Sequence, residues 1–415
     1  MSPALRHVSN AGSDLAVRCA RQRRALLEGG VQPDDLRVVI SPYRVCPIGA
    51  HSDHQHAPVL ATAIDAHTVL SFAAAPGAEV ALDSENFPGV VRFDLRAPEA
   101  QAGAEWGRYA RAAAWALRER LPSPPRGLRG LVGGPLPGGG LSSSASVLLA
   151  YLTALAHVNE LVLAPRDLVL LSRRAENEFV GLASGVLDPA AIVGSRRGKL
   201  LAIDTREVRW EAVSAAPGAP ACLFLVVFTG LPRSLTGTGF NQRVEECRRA
   251  ARTLSQLAGV PTTGFLGELP DAVFEAHSSR LEPALQRRAR HVFTERARVL
   301  RGIERWRRGE LAEFGALMNE SCRSSLQNFE TGSPELACLQ QVLEATPGVF
   351  GSRFSGAGFG GCCVALVEEG AAQEARERAL ADFTQRLPAL AGRATALLAQ
   401  GEDGVRLEAG FRPAA

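Results

Sequence analysis

Apolar and polar positions along the chain recur with helical spacing over residues 12–28, then give way to a short apolar run at 36–40 that reads as a strand. Two more strands are predicted at 68–74 and 79–83, with the turn Ala75-Pro-Gly-Ala78 between them. Trp106 opens a helix expected to run to about residue 121, followed by a proline-rich linker at 122–125 and a strand at 128–132. The run 145–155 is nearly all apolar and reads as a helix, and a second helix is expected over 165–180, ending at Gly181. Strands at 199–204 and 208–213 precede Pro217-Gly-Ala-Pro220, the best candidate boundary, which divides the chain into residues 1–216 and 217–415.

The second part begins with the apolar strand 221–228. Arginine-rich amphipathic helices follow over 240–258, 268–278, 281–306 and 309–326, their charges reading as solvated faces. A glycine-rich stretch at 351–363, a strand at 364–367, a helix at 371–386 and a strand near 404–408 complete the pattern, with no internal repeat.

Composition narrows the class. The chain has 415 residues, 46% of them hydrophobic and 21% charged, which suits two folded domains with ample core. The net charge of +3 is spread without a basic stripe, so no nucleic acid or membrane surface is expected as a partner. A small molecule is. The longest apolar run, 221–228, is far short of a membrane span, and residues 1–27 have no apolar core of a signal peptide. Eight cysteines without a C-x-x-C pair read as reduced, mostly buried thiols of a cytoplasmic protein, expected to be a monomer or weak homo-oligomer.

Three stretches carry candidate chemistry. In Pro135-Leu-Pro-Gly-Gly-Gly-Leu-Ser-Ser-Ser-Ala-Ser146 the glycines let backbone N–H groups approach a charged ligand, and the serines can cap the following helix. That is a phosphate cradle, or simply a capped turn. It is not a Walker loop, because the one lysine in the chain is Lys199. In Ser41-Pro-Tyr-Arg-Val-Cys-Pro-Ile-Gly-Ala-His-Ser-Asp-His-Gln-His56, three prolines flank Arg44, His51, Asp53, His54 and His56, giving a stiff polar loop for a ligand or a solvated turn. Asp188 sits in a glycine-broken apolar stretch, as a turn or cap residue or as a functional carboxylate. Trp106 and Tyr109 either stack on a base or anchor their helix.

Together, the stretches at 41–56 and 135–146 and Gly351-Ser-Arg-Phe-Ser-Gly-Ala-Gly-Phe-Gly-Gly-Cys-Cys363 resemble the three motifs of the GHMP small-molecule kinases, galactokinase branch. The stretch at 41–56 resembles the sugar signature P-G-R-V-N-L-I-G-E-H-T-D. The resemblance implies an α+β, two-domain fold, a ribosomal-S5-like N-terminal domain and a ferredoxin-like C-terminal domain with the active site in the cleft. It also implies ATP and Mg²⁺. Asp188 is expected as catalytic base and Arg44 beside it; Glu176 and Ser144, with Ser143 as the alternative, are expected on the metal. Nucleotide contacts are expected from Trp106, Pro137, Gly138, Gly139, Gly140, Leu141, Ser142, Ser143, Ser144, Ala145, Gly356 and Gly358. Sugar contacts are expected from Ala50, His51, Asp53, His54, Gly185, Arg233 and Phe240.

The departures point to the substrate. Ala50 stands where the signature has Glu, which would repel a sugar carboxylate by about 4 kcal/mol at 4 Å and an effective dielectric near 20. His54 adds a potential cation. This pattern resembles the galacturonokinases and implies ATP-dependent phosphorylation of D-galacturonate at its anomeric hydroxyl, the carboxylate falling to His51, His54 or Arg233. Galactokinase and glucuronokinase are the neighbouring readings. A non-catalytic sugar sensor is disfavoured by the intact Ser144-Ala145, Glu176 and Asp188.

Overall fold

The computed structural model describes residues 11–99, 105–135, 140–231, 239–356, 358 and 360–409. Helix α1 (Ala11–Glu28) leads into two long antiparallel strands, β1 (Arg37–Ile48) and β2 (Val59–Ala74). After β3 (Glu79–Ser84) and β4 (Val91–Asp94) come helix α2 (Arg108–Leu117) and β5 (Leu128–Gly133). Helices α3 (Ser143–Val158), α4 (Pro165–Arg174) and α5 (Leu187–Gly194) precede the hairpin β6 (Leu200–Asp204) and β7 (Arg209–Val213).

The second half starts with β8 (Cys222–Phe228) and continues through α6 (Phe240–Ala258), α7 (Asp271–His277), α8 (Pro283–Arg308), α9 (Leu311–Ser324) and α10 (Pro334–Glu344). It closes with β9 (Val349–Phe354), β10 (Cys362–Glu368), α11 (Ala372–Arg386), β11 (Thr395–Ala399), β12 (Gly401–Glu402) and β13 (Arg406–Ala409).

Among the described residues two sheets form. The larger runs β13-β1-β2-β5-β3-β4, with β6 and β12 paired to β2 and β7 paired to β6, and the smaller is antiparallel in the order β11-β8-β10-β9. With α6 to α10 between β8 and β9 and α11 between β10 and β11, the smaller sheet has ferredoxin-like topology. The chain's last strands leave it to pair with β1 and β2.

An apolar core joins the halves directly beneath the cleft. Tyr43, Ile48 and Leu60 pack with Val226 and Phe228 of β8, Trp306 and Phe314 of the helices, and Val364 of β10. Burial of that size holds the two walls of the cleft as a unit. None of the helices among the described residues is long and apolar enough to cross a membrane.

Several expectations are corrected. Residues 41–48 form no loop: β1 runs through both prolines, and its register shifts between Pro42 and Tyr43 and between Val45 and Ile48, where the ladder needs no proline N–H. The strand expected at 68–74 is the second half of β2, whose first half is buried on both faces and so shows no alternation. The helix expected over 165–180 is α-helical only to Arg174, and a wider π-type turn, Ala175–Val180, carries Glu176. Asp188 lies in the first turn of α5, a helix hidden from the sequence by the glycines before it. Strands β4, β9 and β11 and helix α10 were not expected either.

Candidate functional site

The glycine loop ends against β1. The Arg44 backbone N–H donates to the Leu141 carbonyl at 3.2 Å, and the Gly140 carbonyl accepts from the Ser355 hydroxyl at 3.0 Å. Gly140 has φ 90°, a conformation that favours glycine, and a Cβ there would crowd the Ser355 carbonyl at 3.3 Å. Ser142 also sits in the left-handed region, φ 58°, and its hydroxyl does not cap α3. It donates to Asp188 Oδ2 instead. Held strain of this kind is typical of a site that needs one side chain in one place.

Arg44 crosses the same ground. Its Nε donates to Asp188 Oδ1 at 2.7 Å and its Nη1 to Ser355 Oγ at 3.2 Å. Asp188 is thus held on one oxygen by a buried guanidinium and on the other by a serine, and it lines a cleft open to solvent. Arg44, Ala50, His51, Asp53, Gly185 and Phe240 line that cleft too. Gly185 is there of necessity, since a Cβ would lie 2.1 Å from Asp53 Oδ2. That oxygen accepts from the Leu187 backbone N–H at 3.2 Å, so Asp53 is tied to the start of α5.

Three carboxylates converge on Arg44. Burial, then the nearby Asp188 charge, pushes Asp53 up to about 6 and Glu176 up to about 7. Glu176 accepts from the Ser184 hydroxyl at 2.7 Å. A hard dication relieves such crowding, and a magnesium ion shared with phosphates needs only one or two protein oxygens. Glu176 and the half-buried serines at the start of α3, Ser143 and Ser144, fit that requirement. Among the described residues no group of three His, Cys, Asp or Glu side chains could hold a metal alone.

Residues 108–196 match the GHMP kinases N terminal domain and residues 300–385 the GHMP kinases C terminal domain. Galacturonokinase of Arabidopsis thaliana is 38% identical over 405 residues, covering 91% of this chain and 95% of that protein. The chain belongs to the GHMP kinase family. Galactokinase of Thermococcus kodakarensis is 34% identical over 84% of the chain and 95% of its own length. The crystal structure of Lactococcus lactis galactokinase complexed with galactose superposes with a TM-score of 0.85 at 29% identity, covering 94% of this chain and 99% of that one.

In this GHMP kinase the expected positive charge at His54 is absent. Burial, then His291, pushes it down to about 3; it meets Phe240 edge-on at 5.8 Å and lines a neighbouring cavity with Arg173. Trp106 donates its indole N–H to the Pro88 and Gly89 carbonyls and packs against the N-terminal core. Leu141 and Ala145 are buried at the loop's end, and Gly356 and Gly358 follow Ser355 in the turn after β9. Pro137, Gly138, Gly139 and Arg233 lie outside the described residues.

Sequence reasoning missed Ser184, Ser355 and Arg353 as cleft residues. Arg353 and Ser355 stood inside the third motif, where an arginine and a serine among glycines were the available signal.

The buried histidines set an acid limit. Burial is the first cause in each: His67 and His291 are pushed down to about 4, and His51 also lies well below its ordinary value. At these histidines the unfolded chain takes up protons first, so their contribution to stability is complete above pH 6.5 and is lost as pH falls below it, while the raised Asp53 and Glu176 offset part of that loss. Each such histidine costs about 1.4 kcal/mol per pH unit there. The melting temperature should fall steeply from pH 7 to pH 5.5; a flat profile would contradict the neutral assignments.

Proposed function

We propose that this chain transfers the γ-phosphoryl group of ATP to the anomeric hydroxyl of D-galacturonate, giving D-galacturonate 1-phosphate and ADP. The carrying observation is Asp188, fixed by Arg44 and Ser142 at the edge of a cleft whose sugar side has Ala50 and no carboxylate in its place. Asp188 accepts the hydroxyl proton as that oxygen bonds to the γ-phosphorus and the bond to the bridging oxygen breaks. Arg44 orients Asp188 and adds positive charge where the transferring group becomes more negative. The end of the glycine loop and the first turn of α3 receive the phosphates through backbone N–H groups and the helix dipole. Glu176 and Ser144 would hold Mg²⁺, which would supply the charge neutralisation that a lysine gives in a Walker loop.

Asp53, Gly185, His51 and Phe240 form the sugar side of the cleft. The relatives named galacturonokinase and galactokinase support a sugar as acceptor, and Ala50 favours the acid. Incubation with ATP, Mg²⁺ and D-galacturonate, followed by NMR, should give an anomeric proton coupled to phosphorus. ADP release without that coupling would refute the acceptor assignment.

A further inference from the structure

The cleft wall beneath Ala50 conceals a charge imbalance. Arg353 is 1% exposed and lines the cleft beside Ala50 and His51. Its hydrogen bonds go to neutral acceptors: Ser321 Oγ at 2.6 Å, Ser325 Oγ at 3.4 Å and the Phe354 carbonyl at 3.0 Å. The acid that faces it, Glu295, stands 3.8 Å from Nη1. Glu295 is engaged elsewhere. Its Oε2 takes Arg298 at 2.6 Å, and its Oε1 takes the Gly49 N–H at 2.7 Å and the Ser321 hydroxyl.

Two buried arginines therefore share one buried carboxylate, and among the described residues neither has another acidic partner. About one positive charge is left without a counter-ion, which is costly in a buried setting. It lies under residues 49–51: Gly49 is bonded to Glu295, and the Ala50 carbonyl accepts from His291 Nε2 at 3.0 Å. A second group waits in the same wall. His51 is 5% exposed, stacks on Phe329 with ring centroids 4.8 Å apart, and its Nε2 has no hydrogen-bond partner among the described residues.

Resting on the uronate reading, we propose that the sugar's own carboxylate is the missing counter-ion of the Arg353–Glu295–Arg298 cluster. Arg353 is the specificity-determining residue, His51 Nε2 donates to the same carboxylate, and Arg298 is a positioning residue that keeps Glu295 from neutralising Arg353. The site takes a monoanionic sugar because a neutral hydroxymethyl group leaves the cluster uncompensated. Ala50 leaves both the space and the charge to the substrate.

Initial rates with D-galacturonate and with D-galacturonamide, its uncharged isostere, read this charge directly. Wild-type protein should prefer the acid by about a hundredfold in KM at similar kcat. Arg298→Gln, a position outside the cleft lining, should cut that preference about tenfold by raising KM for the acid alone, and Arg298→Lys should restore it. Equal KM values for acid and amide in the wild type overturn the proposal, whether or not any variant folds. So does an acid preference that Arg298→Gln leaves intact. Turnover of D-galactose with neither uronate compound used would instead overturn the substrate reading itself, and this proposal with it.

Discussion

Asp188→Asn should lower kcat by about a thousandfold, with KM for the sugar changed only a few-fold, because the variant keeps the shape of the site and loses the proposed base. The expected size follows from the geometry. Arg44 and Ser142 each engage one Asp188 oxygen, so the carboxylate is fixed in place before substrate arrives. An asparagine still accepts on its oxygen but cannot take a proton, and it leaves the Arg44 guanidinium, 5% exposed, without its ion pair. The melting temperature should therefore fall as well, by an amount that added D-galacturonate does not fully recover. A coupled ADP assay on protein shown to be folded reads both constants. Activity within tenfold of wild type would remove Asp188 from the base role.

Ala50→Glu lowers kcat/KM for D-galacturonate by about a thousandfold while D-galactose is affected far less. Two like charges 4 Å apart at an effective dielectric near 20 repel by about 4 kcal/mol, which is that factor. The new carboxylate would also neutralise the excess positive charge around Arg353. Ala50→Gln has the same bulk without the charge, so it separates crowding from repulsion: its loss on D-galacturonate should be much smaller. Equal losses on both sugars with Ala50→Glu would sink the charge explanation of specificity.

Residues to which the proposed phosphoryl transfer gives a role were the legible part of this site. Arg44, the glycine loop, Glu176 and Asp188 stand in that order along the chain, and the resemblance to the galactokinase branch singled each of them out. What the chain hides is tertiary. Glu295 and Arg298 read as ordinary charges on an arginine-rich helix, and only the packing of α8 under β1 makes them a buried cluster below Ala50. Ser142 looked like a helix cap, yet its left-handed backbone turns the hydroxyl to Asp188. His54 looked like a cation, but charge depends on burial, and burial is a property of the fold. The two-proline strand β1 was opaque for a local reason: proline normally breaks a ladder, and here register shifts absorb it.

The substrate claim rests most heavily on one small residue, Ala50, facing a buried positive cluster. Its most direct test is kcat/KM of the wild-type protein for D-galacturonate, D-glucuronate and D-galactose, each with saturating ATP and Mg²⁺. The account predicts D-galacturonate highest, by about tenfold or more over either competitor. D-galactose as the best substrate would contradict it.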